Sequence, residues 1–253
     1  MKNMTPEQTK TIILKVGGSL LSPALPSADG IGFDFDYLKK FVEILMRSPH
    51  RVVLMIGGGK LNRVILSSLE DSLPGKQNEN DLHTIGIASS VIHASIVKIH
   101  LEQRVDPKKV YPEVIKFDMY EELERKREQL LNSKFIVASG WKPGHSHDLD
   151  AVLFAEFFGA TEFFSLKNID GVYTADPKID PTARRLAVMT WQEYEQIIVV
   201  KNHEPGASYP VDPIAARESE EKGLSCYVLD GRDLIEVEKI VLGYGTTKAT
   251  RIG

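Results

Sequence analysis

Ile12-Ile13-Leu14-Lys15-Val16-Gly17-Gly18-Ser19 and Arg51-Val52-Val53-Leu54-Met55-Ile56-Gly57-Gly58-Gly59 have the same form: a short aliphatic, partly β-branched run that breaks into glycines. Such runs, ended by turn residues, read as buried strands. Each is followed by apolar residues at helical spacing. Leu38, Phe41, Val42 and Leu45 lie in a segment from Phe35 to Met46, and Leu61, Ile65 and Leu69 come after the second glycine turn. Strand, turn and helix in repetition predict an α/β fold, a three-layer α/β/α sandwich with a mostly parallel central sheet.

The alternation continues outward. The polar, turn-rich PGKQNEND stretch precedes a long helix containing Ile92, Ile96, Ile99 and Leu101. A charged surface helix is expected from Tyr120 to Leu131, a third strand from Lys134 to Ala138, a loop from Ser139 to Ser146, and a helix from about Asp148 to Phe158. A fourth strand, Glu162 to Leu166, runs through Lys167 into Asn168-Ile169-Asp170-Gly171-Val172-Tyr173-Thr174-Ala175-Asp176-Pro177-Lys178. The Asp-Gly and Asp-Pro pairs there predict an ordered loop without regular structure. Helices near Thr190 to Val199 and Pro213 to Lys222, a strand at Ser225 to Leu229 and a helix from Asp233 to Leu242 complete the pattern. No repeat or linker interrupts it, so residues 1–253 read as one domain, with lobes at about 11–140 and 141–253.

At 253 residues, 42% hydrophobic and 26% charged, the chain can bury a sizeable core without disulfides. A net charge of −4 supplies no global attraction to nucleic acid or to an anionic membrane, and neither is expected as a partner. The polar start, Met1 to Lys10, has no apolar run of a secretion signal, and nowhere do about 18 uncharged apolar residues run together. The expected location is cytoplasmic. The single cysteine, Cys226, sits in a strand-like run with no activating base beside it and reads as an apolar filler.

Glycine lets backbone N–H groups close around a phosphate because no side chain blocks the approach. The two glycine turns follow strands, and the second opens a helix whose positive end favours an anion. Neither has the spacing of a P-loop or a dinucleotide fingerprint, and a Gly-Gly turn is equally compatible with plain chain reversal. Lys15, two residues before Gly17, adds a cation at the strand end that can neutralise oxygens of a phosphoryl group in transfer. The competing reading is a solvated lysine on an edge strand.

Leu14-Lys15-Val16-Gly17-Gly18-Ser19 resembles the opening strand and first glycine loop of the amino-acid kinase superfamily, and Gly57-Gly58-Gly59-Lys60-Leu61-Asn62-Arg63 resembles the second loop of its archaeal-type UMP kinases. The run Pro143 to Asp148, the Asn168 to Lys178 segment, Ala207 to Ala215 and Gly245-Thr246-Thr247 follow in that family's order. The resemblance implies ATP-dependent phosphoryl transfer to a small phosphorylated acceptor, most simply UMP to UDP, with Mg²⁺ held by the ATP phosphates and a homo-oligomer, a hexamer in the family. It implies catalytic roles for Lys15, Asp148 and Asp212. ATP contacts are implied for Gly17, Gly18, Ser19, Lys167, Asn168, Asp170, Gly171, Tyr173, Asp176, Pro177 and Lys178. Gly57, Gly58, Gly59, Arg63, His83, Gly86, His93, His145, Ser146 and His147 fall in the acceptor region, with Arg63 suited to an acceptor phosphate. Read from chemistry alone, Asp148 can equally be the cap of the helix it begins.

Three positions depart from the family pattern. His83 stands where an aspartate is usual, His93 where an asparagine is usual and His147 where a threonine is usual. An imidazole offers neither two carboxylate acceptors nor an amide's donor–acceptor pair. Individually they read as tolerated surface or helix residues. Gathered in one pocket, they would suit a different phosphorylated acceptor, or a nucleotide-dependent store of metal or a molybdate- or tungstate-type oxyanion, as in the molybdenum storage proteins of this fold. A nucleotide-binding regulator without turnover is the third alternative.

Overall fold

The structure is a computed structural model, and it describes residues 10–23, 32–177, 179–198 and 209–253. Its centre is a seven-stranded sheet. The strands in chain order are β1 (Thr11–Val16), β2 (Arg51–Ile56), β3 (Phe135–Ala138), β4 (Glu162–Lys167), β7 (Val188–Met189), β8 (Ser225–Asp230) and β9 (Thr250–Ile252), and their spatial order is β3-β2-β1-β4-β8-β9-β7. All neighbours pair in parallel except β8 with β9, so the mostly parallel sheet expected from the sequence is present.

The strand period of two divides the core in two. Ile12, Leu14, Val16, Val52, Leu54 and Ile56 face one cluster, completed by α2 (Phe35–Arg47), α4 (Glu79–Glu102) and α9 (Leu234–Val241). Ile13, Val53, Met55, Ile136 and Phe163 face the other, under α6 (His147–Phe158), α7 (Trp191–Ile197) and α8 (Pro213–Glu221). That arrangement gives the three layers. The two remaining helices on the first side are the single turn α1 (Gly18–Leu21) and α3 (Gly59–Ser72), each springing from a glycine turn.

Chain order and spatial order part company between β1 and β4. From β1 the chain winds outward through β2 to β3, then returns to lay β4 on the other side of β1. In open parallel sheets this reversal point, at the carboxyl ends of the strands, leaves a crevice that ligands occupy. Gly17, Gly57 and Lys167 sit at those ends.

Several expectations need correcting. The helix expected from Tyr120 to Leu131 is broken into a 3-10 turn, Phe117–Glu122, and a short α5, Arg127–Asn132. The break follows from packing: Tyr120, Leu123 and Leu130 are buried, so the segment is drawn against the core rather than lying on the surface. The loop from Asn168 carries a two-residue strand, β5 (Val172–Tyr173), antiparallel to β6 (Arg185–Leu186). β7 and β9 were also missed, being only two and three residues long. Val199, Ala207 and Lys178 lie outside the described residues. Cys226 is fully buried, and burial pushes its thiol well up, so it is the inert filler expected.

Candidate functional site

Two glycine turns meet face to face at the carboxyl ends of β1 and β2. A Cβ placed on Gly18 would lie 2.2 Å from the Gly59 nitrogen, and one on Gly59 would lie 2.6 Å from the Gly18 carbonyl oxygen. Gly59 also adopts φ +60°, a region that favours glycine. No other residue type fits this mutual approach. The cleft opening over it is lined by Lys15, Gly17, Gly18, Ser19, Gly57, Gly59, Arg63, Ser146, His147, Asp148, Lys167, Asn168, Tyr209 and Asp212.

Strand alternation puts the charges there. Lys15 shares its face of β1 with Ile13, and Ser165 and Lys167 share theirs with Phe163, so all three project toward α6. Asp148 waits in the first turn of that helix. Its Oδ1 lies 3.2 Å from Lys15 Nζ and accepts from Ser165 Oγ at 3.3 Å. Its Oδ2 accepts from Lys167 Nζ at 3.4 Å and from the Asp212 backbone N–H at 3.3 Å. Burial alone would raise the Asp148 carboxyl. The attraction of Lys15 and then Lys167 overcomes it and holds the group well below the usual carboxylate range. Lys167 also donates to the Tyr209 carbonyl at 2.7 Å, yet burial still lowers its ammonium to about 8, against the pull of Asp148.

The capping reading of Asp148 fails: the cap of α6 is Ser146, whose side chain accepts from the Leu149 N–H. Asp148 is therefore available to the lysines. Asp212 does cap a helix, accepting from the Ile214 and Ala215 N–H groups at the start of α8, and this fixes the backbone amide that it turns toward Asp148. Tyr209 and Ser165 were not singled out from the sequence. Ser165 left a trace as a hydroxyl in an apolar strand run, whereas Tyr209 left none.

Of the acceptor-region residues, Gly57, Gly59, Arg63, Ser146 and His147 line the cleft. Gly58 and Gly86 lie behind it, packed with Asn62. The three unusual histidines do not converge, which corrects the expectation of one histidine-altered pocket. His147 is at the cleft, His83 lies against Glu79 one turn back on α4, and His93 is fully buried beneath the glycine turns. His145 faces away toward the buried Asp150. Helical spacing explains the scatter: ten residues along α4 separate His83 from His93 by about 15 Å. Of the nucleotide-loop residues, Lys167 and Asn168 reach the cleft wall; Asp170 and Tyr173 pair with each other further out, at 2.9 Å. Gly171, Asp176 and Pro177 belong to the same outer loop.

A crevice at a sheet reversal, floored by two interlocked glycine turns and walled by one buried and one partly buried ammonium group over a helix N-terminus, defines a phosphate-handling protein. The chain belongs to the amino acid kinase family, whose sequence pattern matches residues 10–230. It is 30% identical to a uridylate kinase of Pyrococcus abyssi over 93% of this chain and 98% of that one. It is 28% identical to a uridylate kinase of Methanocorpusculum labreanum over 91% of each chain. The crystal structure of a uridylate kinase from Archaeoglobus fulgidus superposes with a TM-score of 0.70 at 27% identity, covering 96% of this chain and 99% of that one. A UMP kinase from Bacillus anthracis, 18% identical, shares the fold with a TM-score of 0.73 over 96% of each chain.

Proposed function

We propose that this chain transfers the γ-phosphoryl group of ATP to UMP, giving ADP and UDP. The observation that carries the reading is the Lys15–Asp148–Lys167 arrangement at the junction of the glycine turns. One carboxylate between two ammonium groups leaves a net positive charge beside the two apposed glycine turns. An oxygen of the UMP phosphate attacks the γ-phosphorus while the bond to the β–γ bridging oxygen breaks and ADP leaves with the electron pair. The acceptor phosphate is already anionic, so no general base is required. Lys15 and Lys167 offset the charge on the oxygens of the moving group, and Asp148 keeps both amines in place. Arg63 lines the cleft, and its guanidinium fork suits the UMP phosphate.

Among the described residues no group of three His, Cys, Asp or Glu side chains is assembled to hold a metal ion, and Asp148 is engaged by two lysines. That donor set fits Mg²⁺ carried by the nucleotide phosphates and not a protein cage. Bound there, Mg²⁺ would neutralise charge on the donor phosphates. The same scatter of donors gives no support to metal or oxyanion storage.

α4 bears on assembly. It is long and apolar enough by composition to cross a membrane, yet it packs on β2, β3, α2 and α3. Ile92 and Ile99, 50% and 55% exposed, stand on its open face. We read that face as a contact between copies of a cytoplasmic homo-oligomer, a hexamer as in the family.

ADP release measured across nucleoside monophosphates tests the activity. UMP should turn over, and Lys15→Ala should lower kcat by roughly 10²–10³-fold. Failure of UMP, or full turnover by Lys15→Ala, would overturn the reading.

A further inference from the structure

The floor of the cleft has a support that none of the cleft-lining residues provides. Ser22 closes α1, its backbone N–H donating to the Gly18 carbonyl at 2.9 Å. Its hydroxyl lies under Gly59: a Cβ on Gly59 would come within 2.7 Å of Ser22 Oγ. That oxygen is 2.8 Å from His93 Nε2, and the other ring nitrogen, Nδ1, is 2.9 Å from the Ser89 carbonyl oxygen one turn earlier on α4. His93 and Ser22 are 0% and 1% exposed, and Phe33 packs on the imidazole with ring centroids 4.8 Å apart.

The polarity of this chain follows from the chemistry of its ends. A carbonyl only accepts, so Nδ1 carries the proton. Burial disfavours the imidazolium, so the ring is neutral and Nε2 is bare. The single hydroxyl proton of Ser22 then goes to Nε2 rather than to the Gly18 oxygen at 3.2 Å, which the Ser22 N–H already serves.

The geometry points to His93 as a positioning residue: through Ser22 it holds the Gly18 turn at the height where Gly59 can close on it, and so presets the spacing of the two backbone cradles. This rests on the reading that those turns hold phosphates. A hydrogen bond from a fully buried hydroxyl to a fully buried ring has no water to replace it, so its loss moves the turn rather than being made good by solvent. The imidazole spans both ends of the connection. Glutamine can reproduce its Nε2 acceptor, whereas asparagine reaches only the Ser89 end.

Calorimetric titration with ADP, together with ¹⁵N spectra of the histidines in the full chain, tests this. Ser22→Ala and His93→Asn should each weaken ADP binding roughly three- to tenfold. The double variant should be no worse than the weaker single, because the two residues act through one bond. His93→Gln should restore affinity to within about threefold. The spectrum should show His93 protonated at Nδ1 and bare at Nε2. Wild-type affinity in His93→Asn, no recovery in His93→Gln, or a protonated Nε2 would overturn the assignment. If the unsubstituted protein binds no ADP, the phosphate reading fails, and the positioning role with it. The nitrogen spectrum then still decides whether the His93–Ser22 bond exists.

Discussion

Lys15 Nζ stands 3.2 Å from Asp148 Oδ1 while Lys167 Nζ approaches the other oxygen of the same carboxylate at 3.4 Å, so two strands and a helix are joined by one buried anion. Removing that anion leaves two like charges facing each other out of water. Asp148→Asn should therefore destabilise the fold by about 3–5 kcal/mol, read from urea unfolding midpoints. Saturating ADP should recover part of the loss, since a bound polyanion replaces the missing charge.

Lys167 makes activity sensitive to alkaline pH. Its ammonium titrates at about 8, so kcat/KM, which reports the free enzyme, should fall as pH rises through that value and one of the two cations is lost. A bound phosphate raises the pKa of a neighbouring amine, so the descending limb of kcat should lie at higher pH. Lys167→Arg, which does not titrate in this range, should flatten the limb in pH-rate profiles. A limb unchanged in that variant would assign the titration elsewhere.

Asp150 is fully buried beside His145 and accepts from the Trp141 N–H at 3.2 Å. Burial, partly offset by His145, pushes its carboxyl up from 3.8 to about 6. With a raised native value, the folded chain binds more protons than the unfolded one between those two pH values. Stability from this group is thus present at low pH and lost as pH rises through about 6, by at most about 3 kcal/mol. Asp150→Asn keeps an acceptor for Trp141 without the charge. Thermal melts should show it raising Tm above pH 7 and changing it little near pH 4.

Ile92 and Ile99 occupy the open face of α4, seven residues and about two turns apart. Replacing both with aspartate should reduce the proposed homo-oligomer to a smaller species by light scattering, with the helical circular dichroism signal intact. An unchanged mass would overturn the assignment of this face to a contact between copies.

Much of this architecture could be read from the chain itself. The β1, β2, β4 and β8 runs are six-residue strands with strong apolar patterns, and each was placed to within a residue. β5, β6, β7 and β9 escaped because two or three residues carry no period; partners distant in sequence make them strands. The Tyr120 to Leu131 segment reads as a charged helix, but burying Tyr120 against Trp141, with ring centroids 5.2 Å apart, outweighs its propensity. Lys15 and the glycine turns were likewise legible as chemistry, whereas Asp148 read equally as a helix cap and took its role only from the family resemblance. The destinations of His83 and His93 were not legible, because a register set by packing decides which face of α4 is buried.

What the amino-acid order determined alone is the succession of strands and helices, the glycine turns at two strand ends and the cation ahead of the first. These depend on periodicity and turn chemistry, which act over a few residues. Tertiary structure alone decided that Lys15 and Lys167 share Asp148, that His147 faces the cleft while His93 lies beneath it, and that β9 enters the sheet antiparallel. Each of those joins segments far apart in the chain, and such contacts form only when the core closes around them.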